Sequence, residues 1–211
     1  MTANAAAGPG EELDAETRAA IRDLILVLAD TKRLLGYRYA EWMLGAPELE
    51  TGIACSSMAQ DEWGHARLLY ALLKDFDEDV DQLEHGREPD AYHSMEVLDT
   101  PTGSWPDLVA LMALADTAVS VQLEALRGSA YEPVRQRVEK VLEEEKFHTA
   151  HGAAWFRRLA KGTDASRAAL AEAVDRVLEP VLSWFGPDSQ RGARLQDGGV
   201  VTDAGQGLRA R

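Results

Sequence analysis

Two Glu-x-x-His pairs, Glu62–His65 and Glu145–His148, carry the chemistry most visible in this sequence. On a helix a spacing of three puts both side chains on one face, adjacent along the axis. Carboxylate oxygens and imidazole nitrogens together are ligands for divalent transition metals. Each pair interrupts an apolar stripe that recurs at steps of three and four. The first stripe is Cys55, Met58, Glu62, His65, Leu69, Leu72, Phe76. The second is Val134, Val138, Val141, Glu145, His148, Gly152, Trp155, Leu159. Two more acids sit in apolar runs. Asp116 is the lone charge between Leu108 and Val121, on a stripe with Val109, Met112, Val119 and Leu123. Asp30 follows the apolar run from Leu24 to Ala29 and shares a stripe with Val27, Leu34 and Tyr37.

A buried carboxylate without a partner costs several kcal/mol, and four at one depth repel one another. A pair of divalent metals resolves both problems. Four carboxylates and two imidazoles are the ligand count of a dinuclear site in a helical bundle. The expected metal ligands are therefore Asp30, Glu62, His65, Asp116, Glu145 and His148, with Glu62 and Glu145 bridging. Each ligand Glu follows another acid, Asp61 and Glu144. A metal-bound His usually donates its other N–H to a carboxylate, so Asp61 is expected to serve His148, and Glu144 His65. A single Glu-x-x-His is ordinarily a surface Glu beside a satisfied His. The joint pattern is what points to metal. His85 and His93 read as surface residues and His151 as a neighbour of the site. Lys32-Arg33 and Arg157-Arg158 read as solvated faces, with phosphate binding the minority reading.

The elements that must position these residues follow from the breaks. A first helix is expected over Glu16–Leu44, ended by Gly45-Ala46-Pro47, and a second from Glu48 to about Phe76. Asp77 to Pro106 is polar and proline-bearing, a crossover with short helical turns. A third helix runs from Asp107 to about Leu126, a fourth from Glu132 to about Lys161, and a fifth over Ser166–Phe185 with Pro180 as a kink. β-signals are almost absent. Two hairpins joined by a long crossover predict an all-α, ferritin-like four-helix bundle with an additional C-terminal helix, over 16–187. Residues 1–15 are expected to be a flexible start, and 188–211 a polar, Gly-rich tail with no core of its own. Matched depth supports the site. The residue midway between Asp30 and Glu62 is Ala46, and the point midway between Asp116 and Glu145 falls in the Gly128–Tyr131 connection. Glu41 lies 11 residues beyond Asp30, roughly 16 Å along a helix. It is a reserve ligand, or pairs with a base near the bundle end.

Composition bounds the partners. The 211 residues carry 36 acids against 22 bases, a net charge of −14. So acidic a chain lacks the basic surface that nucleic acid or an anionic membrane requires. With 45% hydrophobic residues it is expected to fold around a core. The single cysteine, Cys55, fits a reducing compartment, and Met1–Glu12, without a basic start or an apolar stretch, is not expected to be a secretory signal. No run approaches the apolar length of a membrane span. These features predict a cytoplasmic protein.

The residues also resemble the phenylacetyl-CoA epoxidase family of ferritin-like di-iron oxygenases, over roughly Leu24–Pro187. Gln60-Asp61-Glu62-Trp63-Gly64-His65, Glu143-Glu144-Glu145-Lys146-Phe147-His148 and Phe185-Gly186-Pro187 are similar to segments of that family's catalytic subunit. Asp116 falls at its third-helix ligand, and Asp30 near a first-helix glutamate. Ala40-Glu41-Trp42 with Ala46-Pro47-Glu48-Leu49-Glu50 looks more like the non-catalytic structural subunit, which generally lacks the Glu-x-x-His ligands.

The resemblance implies an O₂-dependent di-iron monooxygenase that epoxidises an aromatic acyl-CoA or similar small substrate. Glu62, Glu145 and Asp116 would be its catalytic carboxylates. It implies two iron ions, with manganese or mixed manganese and iron as the alternative. It also implies a separate reductase, and a homodimer or hetero-oligomer with related subunits. Two other readings stand beside it: a structural assembly subunit of a multicomponent oxygenase, which the Glu41-Trp42 region supports and the complete ligand set opposes, and a ferroxidase-type metal-handling protein, which would share the same ligands.

Overall fold

The computed structural model describes residues 13–211, and among the described residues there is no β-strand. Helix α1, Ala15–Ala40, opens at Asp14, whose carboxylate accepts the N–H groups of Glu16 and Thr17. Such a cap satisfies donors that the first turn leaves free. Helix α2 is Leu49–Leu72 and continues as a 3₁₀ turn, Leu73–Phe76, until Asp77 adopts a left-handed φ of 61°. The crossover carries only α3, Val80–His85, and two 3₁₀ turns. Helix α4, Trp105–Ala125, starts at the Ser104 cap with Pro106 in its first turn. Helix α5 is Glu132–Ala160, and α6 is Asp164–Trp184 with Pro180 inside it. Two short helices follow, α7 over Gln190–Asp197 and α8 over Gln206–Arg209.

The architecture is an all-α, ferritin-like bundle. Helices α1, α2, α4 and α5 form the four-helix core, and α6 packs along α4. The predicted apolar stripes of α2, α4 and α5 are buried almost throughout, with Phe76 and Leu159 only partly covered. Fully burying one large apolar side chain is worth about 1.5–3 kcal/mol. Inside α4, Leu111–Ala115 widens into a π-type turn that ends at Asp116. Such turns recur at functional sites because they re-aim the next side chain. Helix α5 crosses this turn at Gly152, where an added Cβ would stand 2.9 Å from Met112 Cβ.

One expectation needs correction, a second falls mostly outside the described residues, and a third gains a detail. The segment 188–211 is not a tail without packing, because Leu195, Val200, Val201 and Leu208 are buried against the bundle. Its turns seat them, with Thr202 N–H donating to the Ala125 carbonyl and Ala130 N–H to the Gly199 carbonyl. The flexible start at 1–15 falls mostly outside the described residues, and its last two, Asp14 and Ala15, cap and open α1. Among the described residues one helix, α4, is long and apolar enough to cross a membrane by length and composition, and 67% of its most apolar window is buried inside the bundle. Its apolarity is that of a helix packed on several sides.

Candidate metal centre

Helix α2 delivers Glu62 and His65, α5 delivers Glu145 and His148, and α4 delivers Asp116 from the end of its π turn. All five are buried. Ligand atoms of Glu62, Asp116, Glu145 and His148 lie within 4.8 Å of one another, so this group could hold a metal ion. His148 Nδ1 is 3.1 Å from Glu62 Oε1, 3.4 Å from Asp116 Oδ2 and 3.5 Å from Glu145 Oε1. His65 Nδ1 is 3.2 Å from Glu145 Oε1. The outward nitrogens meet the preceding acids, His65 Nε2 at 2.7 Å from Glu144 Oε2 and His148 Nε2 at 3.4 Å from Asp61 Oδ2. Each imidazole thus turns one nitrogen into the cluster and the other to an acid on the facing helix.

Helix α1 contributes something the stripes do not anticipate. Lys32 on α1 is 0% exposed. Its Nζ donates to Glu145 Oε1 at 2.7 Å, Glu62 Oε1 at 2.9 Å and Asp116 Oδ1 at 3.3 Å. Tyr39, two turns further on, donates its hydroxyl to Asp116 Oδ2 at 2.7 Å. Ser120 Oγ donates to Glu145 Oε2 at 3.1 Å. The inward stripe of α1 is Ile25, Leu28, Lys32, Leu35, Tyr39, every member buried. The stripe expected from the sequence is rotated away from it, and its Tyr37 is 44% exposed. Reading Lys32 as a solvated base is therefore wrong. The signal was present: Lys32 stands four residues from Leu28 and three from Leu35, both apolar.

Asp30 is buried but does not join the cluster. Its Oδ1 accepts Tyr70 Oη at 2.5 Å and Arg87 Nη2. Its Oδ2 accepts Arg87 Nη1 at 2.9 Å and the His93 N–H at 2.8 Å. With four donors on two oxygens, Asp30 pins the crossover to α1 and α2. Glu41 pairs with Arg38 at 3.0 Å, the base near the bundle end. His85 lies beside Glu84 on the surface. His151 stacks on Phe147, and burial followed by the nearby His148 lowers its pKa.

Charge in the cluster is set by competition between burial and neighbours. Burial alone would push the Lys32 amine down, but Glu145, Glu62 and Asp116 outweigh it and hold it above its usual range. Burial also opposes charge on Asp116, yet Lys32 and then His148 keep it below the usual carboxylate range. For Glu145, burial and the adjacent Asp116 prevail over Lys32 and raise it to about 7. Burial would lower His148, but Asp116 and Glu62 raise it to about 11.

The donor set suits a cation. Glu62 Oε2 and His65 Nδ1 are buried without a hydrogen-bond partner, the 3.2 Å approach of His65 to Glu145 lacking hydrogen-bond geometry. Three carboxylates and two imidazoles on antiparallel helices fit metal ligation. The six-ligand set is not assembled, because Asp30 is held by Arg87 and Tyr70, and α1 offers an ammonium instead. An open cavity of about 560 Å³ runs between α4 and α5 to Glu145, with Ser120, Thr149, Arg127, Lys146 and Arg157 among its lining residues. It is the size of a small-ligand pocket.

The sequence profile of the phenylacetic acid catabolic protein family matches residues 1–211, and the chain belongs to this family. Two subunits of the 1,2-phenylacetyl-CoA epoxidase of Escherichia coli (strain K12) are similar to it. One is 32% identical over 155 residues, a match covering 70% of this chain and 48% of that subunit. The other is 26% identical over 180 residues, a match covering 84% of this chain and 72% of that subunit. The chain thus spans about half the length of the first of these relatives. Both relatives are parts of an epoxidase.

Proposed function

We propose that this member of the phenylacetic acid catabolic protein family is an O₂-dependent monooxygenase subunit of the phenylacetyl-CoA epoxidase type, oxygenating an aromatic acyl-CoA or a similar small substrate. The observation that carries the reading is the pair of Glu-x-x-His segments converging with Asp116 in a buried cluster. Glu62, His65, Asp116, Glu145 and His148 would hold iron, with manganese the alternative. The metal would supply O₂ activation when bound. Around it, Glu144 and Asp61 orient the two imidazoles through their outward nitrogens. Tyr39 holds Asp116 Oδ2 in place. Ser120 donates its hydroxyl to Glu145 Oε2 at the edge of the open cavity. That cavity would take the acyl group, and Arg127, Lys146 and Arg157 on its wall would meet a substrate phosphate. Electrons would come from a separate reductase. The chain would work in the cytoplasm as a homodimer or beside related subunits, as two relatives drawn from one multi-subunit enzyme suggest.

The test is anaerobic loading with ferrous iron, followed by O₂ uptake with a reductase and phenylacetyl-CoA. Substrate-dependent uptake, lost in His65→Ala and Asp116→Ala, is the expected result. Uptake that ignores the acyl-CoA would favour a ferroxidase-type activity instead. One observation, the Lys32 ammonium among the carboxylates, favours a second reading: a structural assembly subunit docked to a catalytic partner. Absence of bound iron after loading, in a folded protein, would select it.

A further inference from the structure

We infer that Lys32 is a built-in substitute for a metal cation in this centre: its ammonium holds the three carboxylates together, and a metal ion enters only by displacing it. The inference rests on the cluster being the metal site proposed above. Lysine is among the residues least often buried, and it usually keeps its charged end in water by extending along the surface. Here the whole side chain is enclosed, on the inward stripe of α1 between Leu28 and Leu35. An ammonium has three N–H donors and no acceptor. Those of Lys32 face one oxygen from each of three helices, Glu62 Oε1, Asp116 Oδ1 and Glu145 Oε1. The opposite oxygens of Asp116 and Glu145 are taken by Tyr39 and Ser120. The lysine therefore occupies the space to which the carboxylates converge, and it comes from the helix that a six-ligand site needs for its remaining acid.

Like charges a few ångströms apart in a dry interior repel strongly. An ammonium and a metal ion sharing these oxygens are mutually exclusive neighbours. Removing Lys32 without supplying a metal leaves three carboxylates facing one another, relieved by the two imidazoles and by the Tyr39 and Ser120 hydroxyls. The inserted lysine thus converts a site that would need metal to fold into one that is closed without it.

The experiment compares wild type, Lys32→Met and Lys32→Glu, each purified with Mn²⁺ and then dialysed with or without EDTA. Melting temperature and Mn²⁺ titration are the readouts, with anaerobic Fe²⁺ as a second probe. EDTA is expected to leave the wild-type melting temperature unchanged. Wild type is expected to bind Mn²⁺ at least about tenfold more weakly than Lys32→Met, a difference of about 1.4 kcal/mol. Lys32→Glu should melt lower in EDTA and recover on adding Mn²⁺. Equal affinity and stoichiometry in wild type and Lys32→Met would overturn the inference and leave the oxygenase reading standing. No metal uptake by any of the three folded proteins would overturn the metal-centre reading, and displacement with it. Should the variants not fold, wild type alone decides, since a melting temperature lowered by EDTA refutes a centre closed by lysine.

Discussion

Replacing Asp30 by Asn separates a structural pin from a metal ligand. The carboxylate accepts four hydrogen bonds, two on each oxygen, from Tyr70, Arg87 twice and the His93 N–H. An amide keeps one acceptor oxygen and turns an NH₂ group on two of those donors. The Arg87 side chain, 9% exposed, is left without a countercharge. It keeps the Leu83 and Ala91 carbonyls, at 2.7 and 3.0 Å, and the Tyr70 hydroxyl at 3.2 Å. Breaking a buried ion pair by removing one partner costs about 3–5 kcal/mol. The two surviving carbonyl contacts put this case at the lower end, about 3 kcal/mol. For a chain of this size each kcal/mol lowers Tm by about 2–4 °C, so a fall of about 6–12 °C is expected. Urea unfolding should show a lower midpoint at unchanged m. Hydrogen exchange should speed up in the crossover around Arg87–His93, while metal content stays at the wild-type level. Retained stability with lost metal would refute the pin and return Asp30 to the ligand set.

Raising pH should weaken the metal-free protein. His148 is raised from an unfolded value of about 6.5 to about 11. Its contribution is whole below about 6.5 and is lost as pH climbs through about 11. Glu145, raised to about 7 from about 4.3 unfolded, acts in the same direction at lower pH. Melting temperature in EDTA should therefore fall between about pH 7 and 10, and a flat or rising profile contradicts these protonation states. Gly152→Val forces a side chain into the Met112 backbone, whose nearest atoms stand at 3.1 Å from an added Cβ. It should destabilise by about 1–3 kcal/mol in denaturant titration, and a neutral result would mean the α4–α5 crossing is looser than described. Cys55 is buried and its thiol is pushed up to about 11 by that burial. A thiol reagent should modify it far more slowly in the native state than in denaturant, and equal rates would contradict its packing.

Most of the scaffold, and three of the four faces of the centre, are legible along the chain. Glu62 with His65, Glu145 with His148, and Asp116 each interrupt a continuous apolar stripe, and a helix has only one direction in which to bury such a stripe. Helix α1 is different. Both Leu28-Lys32-Leu35-Tyr39 and Val27-Asp30-Leu34-Tyr37 keep helical spacing, and each carries one residue charged at neutral pH. Equal distance from the hairpin turn cannot choose between Asp30 and Lys32, since two residues are only about 3 Å apart along the axis. An isolated α1 gives no reason to bury a lysine. The reason is three carboxylates on three other helices, which exist together only once the bundle has closed. Asp30 found its partners the same way, in a crossover whose polar sequence has no periodicity to announce Arg87. The C-terminal segment is the same lesson without charge. Leu195, Val200, Val201 and Leu208 are too sparse to form a stripe, and they became core residues only because the bundle offered an apolar surface to cover them. Periodicity is a property of one helix and can be read residue by residue. Which cation answers a buried cluster of acids is a property of four helices at once, and it takes form only when they pack.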